Sequence, residues 1–192
     1  LPPRLAQRAL RRKWAGALDR TVAPSAVMAG ILQAHGCPVS DIVPHAVPSH
    51  VRRHEMGERP LIAFSGRLVR EKGVDWLLRA FARARSGPGD AVLHILGDGP
   101  DRPRLEALAA RLGLGADVKF MGHLGREESQ ALLEAAWVQV VPSLWAEPFG
   151  LVAAEALARG TPVIASDAGG PGEIVDHGRT GWLVETGDDA AL

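Results

Sequence analysis

The chain has 192 residues, of which 46% are hydrophobic and 23% charged, and its single cysteine, Cys37, excludes an internal disulfide framework. A chain of this size buries roughly 70% of the surface it exposes when unfolded, so neither disulfides nor a structural metal is needed. Its 22 Lys and Arg balance 22 Asp and Glu, which argues against a nucleic-acid partner; with no run near the roughly 18 apolar residues of a membrane span, the expected setting is cytoplasmic and reducing.

In chain order, residues 4–18 read as a basic amphipathic helix. Its cluster Arg8, Arg11, Arg12 and Lys13 is either a solvated face or a contact with phosphate or an anionic membrane. Peripheral contact at the inner membrane surface is therefore an additional expectation. A short strand follows at 21–23, then a helix over 25–35 capped by Ser25, and a second short strand at 42–43. Pro44, Pro48, Gly57 and Pro60 mark a connector. Residues 1–55 are read as the end of a preceding domain with its linker, and residues 56–192 as the main domain. The chain opens without Met and closes on Asp188-Asp189-Ala190-Ala191-Leu192. This reads as a fragment, cut where another helix begins.

From residue 61 onward, short apolar runs alternate with amphipathic stretches, the pattern of parallel strands covered by crossover helices. Strands are expected at 61–65, 91–96, 118–121, 138–141, 163–166 and 182–184. The stripes Val74-Leu77-Leu78-Phe81, Leu105-Leu108-Ala109-Leu112 and Leu132-Leu133-Ala136 recur at three- and four-residue spacing, placing one apolar face of each helix on the sheet. The fold class is α/β, a doubly wound parallel sheet of Rossmann-like type.

Two segments carry chemistry. In Gly66-Arg67-Leu68-Val69-Arg70-Glu71-Lys72-Gly73, Gly66 allows close backbone approach, while Arg67 and Lys72 set two cations in one loop beyond a strand, where open α/β sheets bind ligands. Paired cations suit phosphate, although on this segment alone a solvated charge run reads equally well. In Glu147-Pro148-Phe149-Gly150-Leu151-Val152-Ala153-Ala154-Glu155, a helix begins near Gly150, and the amides of Leu151 and Val152 form an anion site. Glu147 and Glu155 would lie at opposite ends of a ligand held there and accept hydroxyl hydrogen bonds from a polyol. Both acids otherwise serve the helix dipole. Outside these segments, His123 either approaches a ligand from a neighbouring loop or, more readily, is a surface or core histidine, Trp145 reads as loop packing or sugar-pocket lining, and Glu173 as the cap of the turn that follows it.

The ordered set GRLVREKG, HILGDGP, VKFMGHL, EPFGLVAAE and TPVIASDAGGPGEIV resembles the C-terminal, donor-binding domain of the group 1 (family 4) retaining glycosyltransferases of the GT-B fold. The resemblance covers about residues 60–187, and more loosely 20–48. It implies transfer of a hexosyl unit from a nucleotide diphosphate sugar, with retention, to a sugar or lipid-linked acceptor. By that likeness Arg67 and Lys72 hold the diphosphate and Glu147 contacts the transferred sugar, with help from the backbone at Phe149 and Gly150. The Leu151 and Val152 amides face the phosphates, Glu155 binds the ribose, and Lys119, Phe120 and Met121 border the nucleobase. No metal or organic cofactor is implied, and the two cations stand in place of a divalent ion. The family chain is about twice as long, and His45-Ala46-Val47 stands where members often carry Asn-Gly-Val. Donor binding is therefore expected of this segment more than turnover. A non-catalytic nucleotide-sugar-binding module and a related sugar-nucleotide epimerase remain as alternatives.

Overall fold

Strands form where apolar, β-branched runs are bounded by Gly, Pro, Asp or Ser. The computed structural model describes residues 17–48, 56, 58–85, 90–188 and 192. Its main sheet has six parallel strands: β3 (Leu61–Ser65), β4 (Val92–Leu96), β5 (Val118–Gly122), β6 (Val138–Val141), β7 (Val163–Ser166) and β8 (Gly181–Val184). Their spatial order is β5-β4-β3-β6-β7-β8. The order reverses between β3 and β6, which makes that junction the sheet's topological switch point. A separate parallel pair, β1 (Val22–Ala23) and β2 (Asp41–Ile42), flanks helix α1 (Ala26–Ala34) in sequence.

The crossover helices are α2 (Val74–Ala84), α3 (Arg102–Arg111), α4 (Arg126–Glu134), α5 (Leu151–Ala158) and the single turn α6 (Pro171–Ile174). The expected stripes are the core. Leu77, Leu78 and Phe81 of α2 and Leu105 and Leu108 of α3 pack on Phe64, Leu93 and Ile95. Ala153 and Ala156 of α5 pack on Val141, Val163 and Ala165, and Leu133 of α4 packs with Ala63 and Leu96. Because alternate strand residues point to opposite faces, Ala63 and Phe64 serve different layers. Ser25 caps α1 as expected, its Oγ accepting from the Met28 N–H at 3.1 Å. The basic helix expected over 4–18 lies outside the described residues, except positions 17 and 18, which are not helical.

The two ends of the sheet are handled differently. At the amino ends, buried Asp117 receives Arg59 Nη2 and Arg85 Nη1, each at 2.6 Å. At the carboxyl ends the loops after β3 and β6 are pressed together. Gly73, between a 3₁₀ turn (Arg70–Lys72) and α2, is left-handed at φ 65°, and a Cβ there would strike the Pro142 carbonyl oxygen. Only glycine meets both demands at low cost. Gly73→Ala is expected to lower the unfolding free energy by about 2 kcal/mol or more, measured by urea denaturation.

Candidate functional site

The loop after β3 leaves the sheet through Gly66, whose N–H donates to Leu96 O at 3.0 Å. Leu68 is fully buried and bonds to the β4 loop in both directions, donating to Asp98 O at 2.9 Å and accepting from the Asp101 N–H at 3.0 Å. This anchors the loop while leaving the Arg67 side chain exposed, with no ion pair to any described residue. Lys72 lies on the 3₁₀ turn, and its ammonium donates to Glu147 Oε1 at 2.5 Å. The end of the first of the two singled-out segments therefore meets the start of the second, although 75 residues separate Lys72 from Glu147. A backbone bond, Leu144 N–H to Glu71 O at 2.8 Å, closes the same junction.

Glu147 is buried at 7% exposure, and burial of a carboxylate requires partners. The Ser143 hydroxyl donates to the same Oε1 that Lys72 holds. Among the described residues, Oε2 has no hydrogen-bond partner. The backbone of Glu147 is tied to the β7 loop: its N–H donates to Ala168 O at 3.2 Å, and its carbonyl accepts from the Gly170 N–H at 2.8 Å. A Cβ at Gly169 would strike the Glu147 backbone, and one at Gly170 the Phe149 backbone. These glycines allow two loops to lie backbone against backbone.

Gly150 opens α5 in the left-handed region at φ 90°, with no side-chain cap and no acid in the first turn. The first helical bond runs from the Ala154 N–H to Gly150 O, so the amides of Leu151, Val152 and Ala153 have no acceptor within the helix. The acids do not compensate this end as the dipole reading would have it: Glu147 is engaged by Lys72 and Ser143, and Glu155 lies in the second turn. The result is an uncapped helix start beside the switch point, suited to an anion.

Three adjoining hollows border these elements. One of about 300 Å³ lies over the carboxyl ends of β3 to β5, lined by Gly66, Arg67, Gly97, Asp98, His123 and Leu124 among others. A second, of about 200 Å³, is lined by Arg126, Gln130, Glu155 and Arg159 and shares Ser129 and Leu133 with the first. A third, of about 300 Å³, shares Arg67 and adds Val69, Glu71, Lys72 and Trp145. Ser129 and Leu133 thus wall both the first and the second hollow, and Arg67 both the first and the third. Such volumes suit parts of a ligand of drug size or larger. The Gly99 amide, aided by the Arg102 guanidinium, holds the Asp98 carboxyl below its ordinary range.

Lys119, Phe120 and Met121 form the body of β5, with Phe120 and Met121 packed on opposite core layers. The first hollow is lined from this part of the chain by Gly122, the last residue of β5, and by His123 and Leu124 beyond it. His123 is exposed there, the surface placement that the sequence allowed. Glu173, expected from sequence to cap the turn that follows it, instead accepts from the Ala26 and Val27 N–H groups at 2.9 and 2.6 Å, at the start of α1. The reason is topological, since the turn after β7 faces the β1–β2 unit.

Other residues were not singled out in sequence. Ser143 had the one local signal, a small polar residue just past a strand and four positions before Glu147. Gln139 is fully buried on β6; its amide donates to Ser65 Oγ at 2.9 Å and its oxygen accepts from Arg159 Nη2 at 2.8 Å. It is a strut between the end of β3 and the end of α5. Burial lowers the pKa of Arg159 from its ordinary value, and the charges of Glu155 and Glu134 oppose that shift.

The model of the family described as glycosyl transferases group 1 matches residues 49–192. Glycogen synthase of Mycobacterium tuberculosis is 40% identical over 145 residues, covering 76% of this chain and 34% of its own length. Sucrose-phosphate synthase of Thermosynechococcus elongatus superposes with a TM-score of 0.80 at 29% identity, over 98% of this chain and 49% of its own. HepE of Anabaena, solved in complex with UDP and glucose, gives a TM-score of 0.78 at 26% identity, over 97% and 55%. The chain thus spans about a third of the curated relatives it matches, such as the 34% of glycogen synthase.

Lys72 and Glu147 side chains are 24% and 8% exposed, so losing the lysine would leave a carboxylate nearly cut off from water. Lys72→Met is expected to destabilise the fold by about 1–3 kcal/mol. A double-mutant cycle with Glu147→Gln, read by urea unfolding, should return a coupling of at least about 0.5 kcal/mol.

Proposed function

The chain belongs to the group 1 glycosyl transferases, and on that premise we propose that it is the donor-binding part of a glycosyltransferase that moves a hexosyl unit, with retention, from a nucleotide diphosphate sugar. The observation that carries this reading is the meeting of the Arg67–Lys72 loop with the Glu147–Gly150 loop at the switch point, beside the uncapped start of α5. A diphosphate there is met by Arg67, Lys72 and the Leu151 and Val152 amides. The unpartnered Oε2 of Glu147 accepts hydroxyls of the transferred sugar, Phe149 and Gly150 add backbone contacts, and Glu155, which lines the second hollow, accepts from the ribose. The nucleobase lies in the hollow walled by His123 and Leu124.

As the bond from the anomeric carbon to the leaving oxygen lengthens, negative charge grows on the diphosphate. Fixed cations and helix amides that hold this charge more tightly than the ground state lower the barrier. In comparable oxyanion sites each such donor is worth on the order of 10²–10³ in rate. Lys72 needs no reorganisation to act, because Glu147 already fixes its ammonium at the mouth of the loop. The proposal includes residues 1–55 as the end of an acceptor-side domain, a cytoplasmic setting, and an acceptor, either a sugar or a lipid-linked one, bound by the whole protein.

The test is calorimetric titration with UDP, GDP and ADP. One nucleotide is expected to bind, with UDP the first choice because HepE was solved with it. Arg67→Ala and Glu155→Ala should each weaken binding about tenfold or more, the effect of losing one charged hydrogen bond. Unchanged affinity in both variants would overturn the assigned pocket.

A further inference from the structure

The loop that carries Glu147 is gripped not only by the sheet domain but also by residues far upstream. Ser25 Oγ, while capping α1, donates to Pro148 O at 2.5 Å across 123 residues of sequence. The ring of His45 meets Phe149 edge to face, with centroids 5.1 Å apart. Glu173 reaches across 147 residues, and its two oxygens accept from the first two amides of α1. Helix α1 has no acid of its own in its first turn, so Glu173 supplies the negative charge that its amino end favours. Gly170, three residues before Glu173, lies against the Phe149 backbone, so the latch and the Glu147 loop are mechanically joined.

We propose that Glu173 is a positioning residue. By holding the start of α1 it seats the β1–β2 unit on residues 148–149, and that seating sets the Glu147 carboxylate and the α5 amides in the geometry that binds nucleotide. Closing the latch and binding the donor are then linked equilibria, each favouring the other by the same factor. The contact suits a reversible joint: Glu173 is exposed, and its hydrogen bonds can be exchanged for water at modest cost. This inference rests on the donor-binding reading above.

The experiment uses the full chain and UDP as the probe, with calorimetry for affinity and amide hydrogen exchange at Ala26–Met28 for the latch. Saturating UDP is expected to slow exchange at these amides severalfold in the wild type. Glu173→Ala should speed their exchange about tenfold and weaken UDP three- to tenfold. Glu173→Gln, which keeps one acceptor oxygen, should fall between the two, and circular dichroism checks that both variants are folded. Wild-type UDP affinity in Glu173→Ala, or exchange at Ala26–Met28 that ignores UDP in the wild type, would overturn the coupling alone. Failure of the wild type itself to bind nucleotide would overturn the donor reading and the coupling with it, and is seen before any variant is compared.

Discussion

Glu147 places a carboxylate where water barely reaches, and much of the local architecture follows from keeping it there. A buried carboxylate is tolerated only with a countercharge and hydrogen-bond donors close by. Lys72 and Ser143 supply these from different loops, so the β3 and β6 loops must stay in register at their carboxyl ends. That register in turn demands close backbone contact, which is why Gly73 stands where a Cβ would meet the Pro142 carbonyl; Gly169 and Gly170 do the same where the β7 loop lies against residues 146–149. One electrostatic requirement thus spreads into a steric requirement at Gly73.

The sheet separates its charges by end. Asp117 with Arg59 and Arg85 closes the amino-terminal edge, where one buried carboxylate is held between two guanidiniums. At the carboxyl edge the matching is incomplete: Arg67 is exposed without an ion pair to a described residue, and α5 begins with no cap. Unmatched positive potential at one end of a parallel sheet favours anionic ligands there. A further polar strut, Ser65–Gln139–Arg159, runs beneath the site and links the end of β3 to the end of α5. Its members are tied by direct side-chain bonds, so displacement of one loop is resisted through the core as well as at the surface.

The loop between Glu147 and Gly150 is held from three directions: by the β3 loop through Lys72, by the β7 loop through the Gly170 amide, and by the upstream unit through Ser25. Anchors from three directions on four residues are what preorganisation of a binding loop requires.

The strands at 61–65, 138–141 and 163–166, the Ser25 cap and the helix stripes were legible in the residues, because each depends on neighbours within a few positions along the chain. The two site segments were legible as well, as a cationic glycine loop and a helix start flanked by acids. Their meeting was not, since three strands intervene in sequence between the partners Lys72 and Glu147, which are joined only by the order in which strands pair. Ser143, Gln139 and the true partner of Glu173 were hidden for the same reason: a hydroxyl, an amide or a carboxylate reads alike in sequence whether it faces water or a distant amide. Local periodicity thus determined which elements form and which residues could carry chemistry. Tertiary structure alone decided which of them touch, because pairing across the switch point is a property of the sheet as a whole.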